Sequence, residues 1–128
     1  MLSAFLVPET VVREEGASPA LDVGASQGKS LTLTLGITRI IEQESLEVSI
    51  WGSADQTDWG AKPLAAFPQK FYCGVYELPL ILSSHPEIRF LKAQWKVDRW
   101  GRGTPAPLFG IYLVAQETSD RVVTAQSA

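Results

Sequence analysis

Residues 31–38 constrain the fold more than any other segment, because their side chains alternate strictly in polarity. The segment reads Leu-Thr-Leu-Thr-Leu-Gly-Ile-Thr, with leucine or isoleucine at the odd positions and threonine at three of the even ones. Side chains of an extended strand point alternately to its two faces, so the pattern predicts a strand with one buried and one exposed face. Half-buried strands of this kind are typical of antiparallel sheets.

Two further segments show the same alternation. Residues 46–50 carry leucine, valine and isoleucine in one phase, and we expect them to form a β-hairpin with residues 31–38 across the polar turn at 42–45. Residues 75–82 form another strand. Pro79 within it has no N–H to donate, which favours a position at a sheet edge or at a bulge.

The second half of the chain continues the pattern. The apolar phase changes within residues 88–97, which predicts a bulge near Phe90. Residues 98–107 contain two prolines and two glycines and therefore predict a long loop. Further strand candidates are residues 4–7, 10–13, 20–23, 67–73 and 108–115. No window has sustained helical periodicity, so the chain is predicted to be all-β, an antiparallel two-sheet β-sandwich or jelly roll of about seven to nine strands. The pattern leaves open whether the topology is that of a jelly roll or immunoglobulin-like.

The length of 128 residues suits one domain. We expect a single β-sandwich domain over residues 1–117, with an N-terminal arm at residues 1–9 and a flexible polar tail at residues 118–128. The net charge of −3 provides no positive field for nucleic acid or an anionic membrane. No segment has the length of a signal peptide or a membrane span, so we expect synthesis in the cytoplasm, with incorporation in a virion or particle under the hypothesis below.

Groups that could carry catalysis are sparse. His85 is the single histidine and precedes a proline in a turn, and Cys73 is the single cysteine, expected to be a buried thiol in an apolar segment. Glu42, Glu44 and Glu47 cluster near the predicted hairpin turn, where solvation accounts for them. A zinc site needs three or four suitably spaced ligands. We therefore expect no catalytic residues, no cofactor and no metal, and a protein that is not an enzyme.

Four tryptophans raise the question of ligand binding. Trp95 shares its phase with the apolar residues of its strand and is expected to be buried, and Trp59 is expected to close the end of the sandwich beneath its turn. Trp51 is out of phase with the residues before it and should point away from the core. Trp100 lies between Arg99 and Arg102 in the long loop. Trp51 and Trp100 are therefore the candidates for a glycan-binding platform.

The segment from residue 46 to residue 59 reads Leu-Glu-Val-Ser-Ile-Trp-Gly-Ser-Ala-Asp-Gln-Thr-Asp-Trp. Together with Pro-Leu-Ala-Ala-Phe-Pro-Gln at 63–69 and Arg-Phe-Leu-Lys-Ala-Gln-Trp at 89–95, it resembles small β-sandwich structural or accessory proteins of tailed bacteriophages and prophage-like elements. The resemblance covers roughly residues 30–115. The family pattern has glycine where this chain has Gln56. In such proteins the motif is a structural turn, and the resemblance implies a role in particle assembly.

The leading hypothesis is a non-catalytic structural protein of a phage-like virion or prophage-type particle. Its partners would be further copies of itself, forming a homo-oligomer, and other particle proteins. Assembly would use the apolar arm, which could add a strand to a neighbouring subunit, and an arginine-tryptophan loop. The interface candidates are Leu2, Phe5, Leu6, Arg99, Trp100 and Arg102. The alternatives are a carbohydrate-binding module and a small enzyme built on a jelly roll, and the absence of a histidine cluster counts against the enzyme.

Overall fold

The alternating segments form two antiparallel sheets that pack against each other. The computed structural model describes residues 3–26, 28–41, 44–99 and 107–118 of the chain. The strands are β1 Ser3–Val12, β2 Gly16–Ala17, β3 Leu21–Asp22, β4 Ser30–Ile40, β5 Glu44–Ser53, β6 Ala65–Ala66, β7 Gly74–Ile81, β8 Phe90–Arg99 and β9 Phe109–Glu117. Two short 3-10 turns, Gly24–Ser26 and Leu82–Ser84, are the helical segments within the described residues. The predicted all-β, two-sheet fold is confirmed.

The strand order identifies the topology. One sheet, sheet A, has the order β1-β9-β4-β7, and the other, sheet B, has the order β2-β8-β5-β6, with β3 also pairing with β8. Because β2 and β3 pair with the same strand and follow each other directly, they act as one interrupted strand. The eight resulting strand positions divide into two four-stranded sheets with the interleaved order of a jelly roll. The topology that alternation left open is therefore the jelly roll.

The predicted hairpin between residues 31–38 and 46–50 is wrong. The first segment belongs to β4, which pairs with β7 and β9, and the second belongs to β5, which pairs with β6 and β8. The chain crosses from sheet A to sheet B between them. Alternation shows that each strand has a buried face, but both faces of a sandwich core bury the same kind of residue, so the pattern does not assign a strand to a sheet.

The core lies between the sheets and uses the predicted phases. Leu31, Leu33 and Leu35 of β4 are fully buried, as are Leu46 and Ile50 of β5. Other buried members come from the remaining long strands, namely Leu6, Val7, Val12, Leu80, Leu91, Ala93, Phe109, Ile111 and Leu113. Burial of this apolar surface is the main favourable term in folding. None of the helical segments among the described residues is long and apolar enough to cross a membrane.

Both edges of sheet A carry a proline. β1 contains Pro8, at a point where its register with β9 shifts, and β7 contains Pro79 opposite Thr32 of β4. The two short strand candidates around Pro8 are thus one irregular strand, and Pro79 lies on an edge strand as predicted. A proline cannot donate to an incoming strand, so these edges disfavour pairing with another chain.

Three other predictions about local structure are wrong. Residues 67–73 do not form a strand. The segment pairs with β5 at an isolated bridge between Lys70 and Leu46, and the N–H of Phe67 donates to the carbonyl of Val48. β8 pairs with β5 without a register shift from Phe90 onward, and buried Ile88 precedes the strand in a turn, so no bulge is needed. Cys73 is exposed, in the irregular segment directly before β7.

Glu44 is buried, contrary to the expectation that the three glutamates near residue 45 are solvated. Its side chain and backbone are together only 1% exposed. One carboxylate oxygen accepts a hydrogen bond from the backbone N–H of Ile41 at 2.9 Å, and the other accepts from the N–H of Leu108 at 2.8 Å. Glu44 therefore joins the crossing between β4 and β5 to the start of β9. Glu47, three residues later on the outer face, is exposed as expected.

Candidate functional site

Of the predicted interface residues, the structure describes Phe5 and Leu6 in full and Arg99 by its backbone alone. Phe5 is exposed on β1, whereas Leu6 is buried in the core. The backbone of Arg99 ends β8 opposite Glu44. Its side chain lies outside the described residues, as do Leu2, Trp100 and Arg102. The predicted arm is mostly part of β1, which pairs with β9 of the same chain. Of the predicted tail, Thr118 donates its N–H to the carbonyl of Ser30 at 2.8 Å, and residues 119–128 lie outside the described part.

The outer face of sheet A exposes large apolar side chains. We call this surface the sheet A face and define it by Phe5, Val11, Val75 and Ile81, which are 56%, 42%, 64% and 50% exposed. They come from the two edge strands β1 and β7. Half-buried Val114 lies opposite Phe5, and half-buried Tyr112 continues the same face along β9. The sheet A face thus exposes large apolar side chains at both of its lateral margins, and on the β7 margin exposed Glu77 lies between Val75 and Ile81.

Gly36 keeps the centre of the sheet A face flat. It pairs with Tyr112 of β9, and the Tyr112 ring lies directly over it. A Cβ atom at Gly36 would come within 2.0 Å of Tyr112 Cε2, so any larger residue would displace the ring. Glycine in a strand interior often marks such a close approach. The alternation of β4 gives no sign of this close approach, because the approach depends on the pairing of Gly36 with Tyr112.

The outer face of sheet B carries two of the tryptophans. Trp51 points away from the core, as its phase predicts, and is half-buried. Its indole N–H donates to Ser49 Oγ at 2.9 Å. Trp59 is also half-buried, and the ammonium of Lys92 lies 4.5 Å from its ring centroid, a cation–π contact. Trp59 therefore covers the outside of sheet B. The prediction that it closes the end of the sandwich is wrong.

Trp95 is half-buried, and not fully buried as its phase predicted. It packs against the core and donates its indole N–H to the carbonyl of Glu14 at 3.2 Å. Its ring lies against Gly16 of the short strand β2. Because β2 is only two residues long, the edge of β8 is not covered along its whole length. The tryptophan is too large to be enclosed there.

A groove of about 220 Å³ lies on the outer face of sheet B. We call it the sheet B groove. Its polar lining comes mainly from two cross-strand pairs, Glu47 with Lys96 and Ser49 with Gln94. Ala66 of β6 and Glu15, just before β2, also line it. Alternation along β5 and β8 directs the side chains of both pairs outward, and so the sequence contained the signal for this groove but not the pairing that assembles it.

The loop at residues 53–60 is held by its own side chains. Ser53, which is buried, accepts N–H hydrogen bonds from Asp55 and Gln56 at 3.1 and 2.9 Å. The Asp55 carboxylate accepts from the N–H groups of Asp58 and Thr57. These two N–H groups, with the Ser53 hydroxyl, lower the pKa of the Asp55 carboxyl. Short polar side chains stabilise turns in this way, and the loop has the structural character that the sequence motif implied.

Gln56 is strained at the centre of this loop. Its φ of 66° lies in the left-handed region, where a side chain other than glycine costs about 1–2 kcal/mol. We expect Gln56→Gly to raise the free energy of unfolding by about 0.5–1 kcal/mol, because the relief of strain exceeds the added entropy of the unfolded chain. Urea unfolding monitored by tryptophan fluorescence measures the change. Thr57→Gly, at the neighbouring position with no such strain, should lower stability, and equal losses in the two variants would contradict the interpretation.

Within the part of the chain that the structure describes, no three histidine, cysteine, aspartate or glutamate side chains come close enough to share a metal ion. His85 lies in the turn after β7, and its backbone N–H bonds the carbonyl of Leu82. Among the described residues, the sheet A face offers exposed apolar side chains and the sheet B groove offers a polar lining. A comparison with protein-family models finds none that matches the chain, and a comparison with curated proteins finds no matching relative.

Proposed function

We propose that this protein is a non-catalytic structural protein that self-associates through the sheet A face. The observation that carries the proposal is the exposure of large apolar side chains at both margins of that face. Of the six large apolar residues that are exposed within the described part of the chain, four lie there. Several large apolar side chains exposed on one face of a folded domain are typical of a protein interaction site, because covering them removes apolar area from water.

The route of association that we propose is face to face. The prolines in β1 and β7 disfavour the addition of a strand at either edge of sheet A. The arm that could have added a strand to a neighbour is paired with β9 through residues 3–12. Two sheets can instead pack through their faces at about 10 Å, as they do in sandwich cores.

A second copy of the chain is the occupant that suits this surface. In a two-fold pair the same patch meets itself, so an apolar face with a glycine-flattened centre is self-complementary in chemistry and in shape. The small, β-branched Thr32 and Thr34 lie between the apolar margins and add little relief. A charged partner would leave the apolar margins uncovered. Thus the sheet A face favours a homo-oligomer over a polar ligand.

The resemblance of residues 30–115 to phage structural and accessory proteins provides the biological context of the proposal. A component of a phage-like particle needs a surface for repeated contact with copies of itself, and it needs no active site. The jelly roll is a common architecture of capsid domains, although a fold alone does not determine a function.

Val75→Lys is the direct test of self-association. Val75 is 64% exposed, so a lysine there does not disturb the core, but it would bring two ammonium groups into an apolar contact. We expect the intact chain to elute at a multiple of its 14.0 kDa mass in size-exclusion chromatography with light scattering. The variant should require a concentration at least about tenfold higher to associate, the equivalent of about 1.4 kcal/mol.

Thr57→Lys is the matched control, because it adds the same charge at an exposed position in the loop at residues 53–60. It should associate as the unmodified chain does. Point substitutions are preferable to removal of residues 1–9, since that deletion would also take buried Leu6 and Val7 from the core. A monomeric intact chain at all concentrations, or unchanged association of Val75→Lys, would refute the proposal.

A further inference from the structure

We propose that the sheet B groove binds an uncharged oligosaccharide. The inference uses a different face of the molecule and does not depend on self-association. It rests on three features of the groove, which are its unpartnered polar side chains, the tryptophan at its border and its mixed charge.

The polar side chains of the groove are available to a ligand. Within the described residues, no hydrogen bond or ion pair joins the side chains of Glu47, Gln94 or Lys96 to another protein group. Glu47 and Lys96 face each other across the strand pair without forming a salt bridge. Together the three side chains offer a carboxylate, a carboxamide and an ammonium, which can donate to and accept from neighbouring hydroxyl groups. A chain of hydroxyl-bearing sugar rings matches this set.

Trp51 supplies an apolar surface at the border of the groove. Its indole nitrogen lies 2.9 Å from Ser49 Oγ, and Ser49 lines the groove. The indole is therefore held beside the polar groups and is half-buried, with part of its surface open to solvent. Small-molecule sites commonly combine an aromatic surface with a few placed polar groups. One face of a pyranose ring presents C–H groups that stack on an aromatic ring, while its hydroxyls point to the side.

The charges of the groove favour an uncharged ligand. Glu15 and Glu47 are acidic, Lys96 is basic, and all three line the same 220 Å³ space. A polyanion would be repelled by the excess of carboxylates, whereas a polycation would be attracted by the two carboxylates and repelled by the one ammonium. A neutral polyhydroxylated chain can bond to all three. Lys92 is engaged with the Trp59 ring beside the groove and adds no free charge within it.

Isothermal titration of the intact protein with cellohexaose, xylohexaose, mannohexaose and chitohexaose tests the inference. We expect saturable binding of at least one of these hexaoses. Trp51→Ala should weaken that binding by roughly five- to tenfold, the effect of losing one aromatic stacking surface. Gln94→Ala should weaken it as well and should leave the thermal unfolding temperature unchanged, because the Gln94 side chain has no protein partner within the described residues.

Val75→Lys separates this inference from the proposed self-association. It lies on the sheet A face and should bind the hexaose with unchanged affinity per chain, whereas Trp51→Ala should associate normally. Absence of binding to all four hexaoses at millimolar concentration would overturn the inference. Binding that both Trp51→Ala and Gln94→Ala leave intact, or tighter binding of a heparin hexasaccharide than of any neutral hexaose, would overturn it too.

Discussion

Glu44→Ala is expected to lower the free energy of unfolding by about 2–4 kcal/mol. The carboxylate is 99% removed from solvent and accepts two backbone N–H groups, one from Ile41 and one from Leu108. Alanine would leave both donors without this acceptor in a partly buried position, and a fully buried donor without a partner costs about 1–3 kcal/mol. It would also leave a cavity where β4 crosses to β5. Urea unfolding followed by circular dichroism measures the loss.

Glu47→Ala is the matched control for this experiment. It lies on the same strand, removes the same side chain and is exposed, so its effect should stay within about 0.5 kcal/mol. Glu44→Gln should fall between the two, because a carboxamide retains one acceptor oxygen and presents an N–H to the second donor. If Glu44→Ala were no more destabilising than Glu47→Ala, Glu44 would not hold the crossing in the folded protein.

The second large effect is expected for Leu33→Ala, at about 3 kcal/mol within the usual range of roughly 2–5 kcal/mol for such a change. Leu33 is 0% exposed at the middle of β4, between Leu78 of β7 and Ala115 of β9. Both neighbouring strands hold it in place, so the cavity left by the missing methyl groups has little room to collapse. The free energy of unfolding in urea and the midpoint of thermal unfolding should both fall.

Thr34→Ala provides the comparison from the adjacent residue of the same strand. Thr34 points to the outer face of sheet A and is partly exposed, so we expect a loss below about 1 kcal/mol. The measurement belongs in the Val75→Lys background, because association through the sheet A face would bury Thr34 in the unmodified chain. Similar losses for Leu33→Ala and Thr34→Ala in that background would mean that the two faces of β4 are buried alike.

The alternation of residues 31–38 was sufficient to predict which side chains of β4 are buried. It worked because each strand of a two-layer sandwich has one face toward the core, and the polarity of its side chains must match that face. The same alternation placed Trp51 on the outside, whereas the missing N–H of Pro79 predicted an edge or a bulge for that residue. It did not place β4 and β5 in different sheets, since pairing depends on contacts between segments far apart in the chain.

The different burial of Glu44 and Glu47 could not be predicted from the sequence. Both glutamates lie in the first half of β5, and polarity alone predicts that both are exposed. The crossing between the sheets turns Glu44 toward two N–H groups, one of them from Leu108 at the far end of the chain. Those donors satisfy the buried oxygens, so that burial becomes tolerable. The donors themselves come from the tertiary fold.

The loop around Gln56 was predicted only in part from the sequence. The motif around it indicated a tight turn held by serine and aspartate side chains, and the resemblance indicated that glycine usually stands at this position. Only the structure shows that the backbone there is left-handed, with a φ of 66°. This left-handed backbone explains why glycine suits the position. The loop nevertheless forms with glutamine there, because other contacts hold it. Six hydrogen bonds still hold it: five backbone N–H groups donate to the side chains of Ser53, Asp55 and Asp58, and the Ser53 hydroxyl donates to Asp55.

The sequence by itself determined that the protein is all-β, which strand faces are buried and that Trp51 points outward, because these properties depend on local alternation. The tertiary structure decided the jelly-roll order, the burial of Glu44, the apolar sheet A face and the sheet B groove. Each of these requires residues distant in sequence to meet, such as Phe5 with Val114 and Glu47 with Lys96. The free energy that favours these strand pairings comes from packing and hydrogen bonds between strands, so it cannot be read from any single segment.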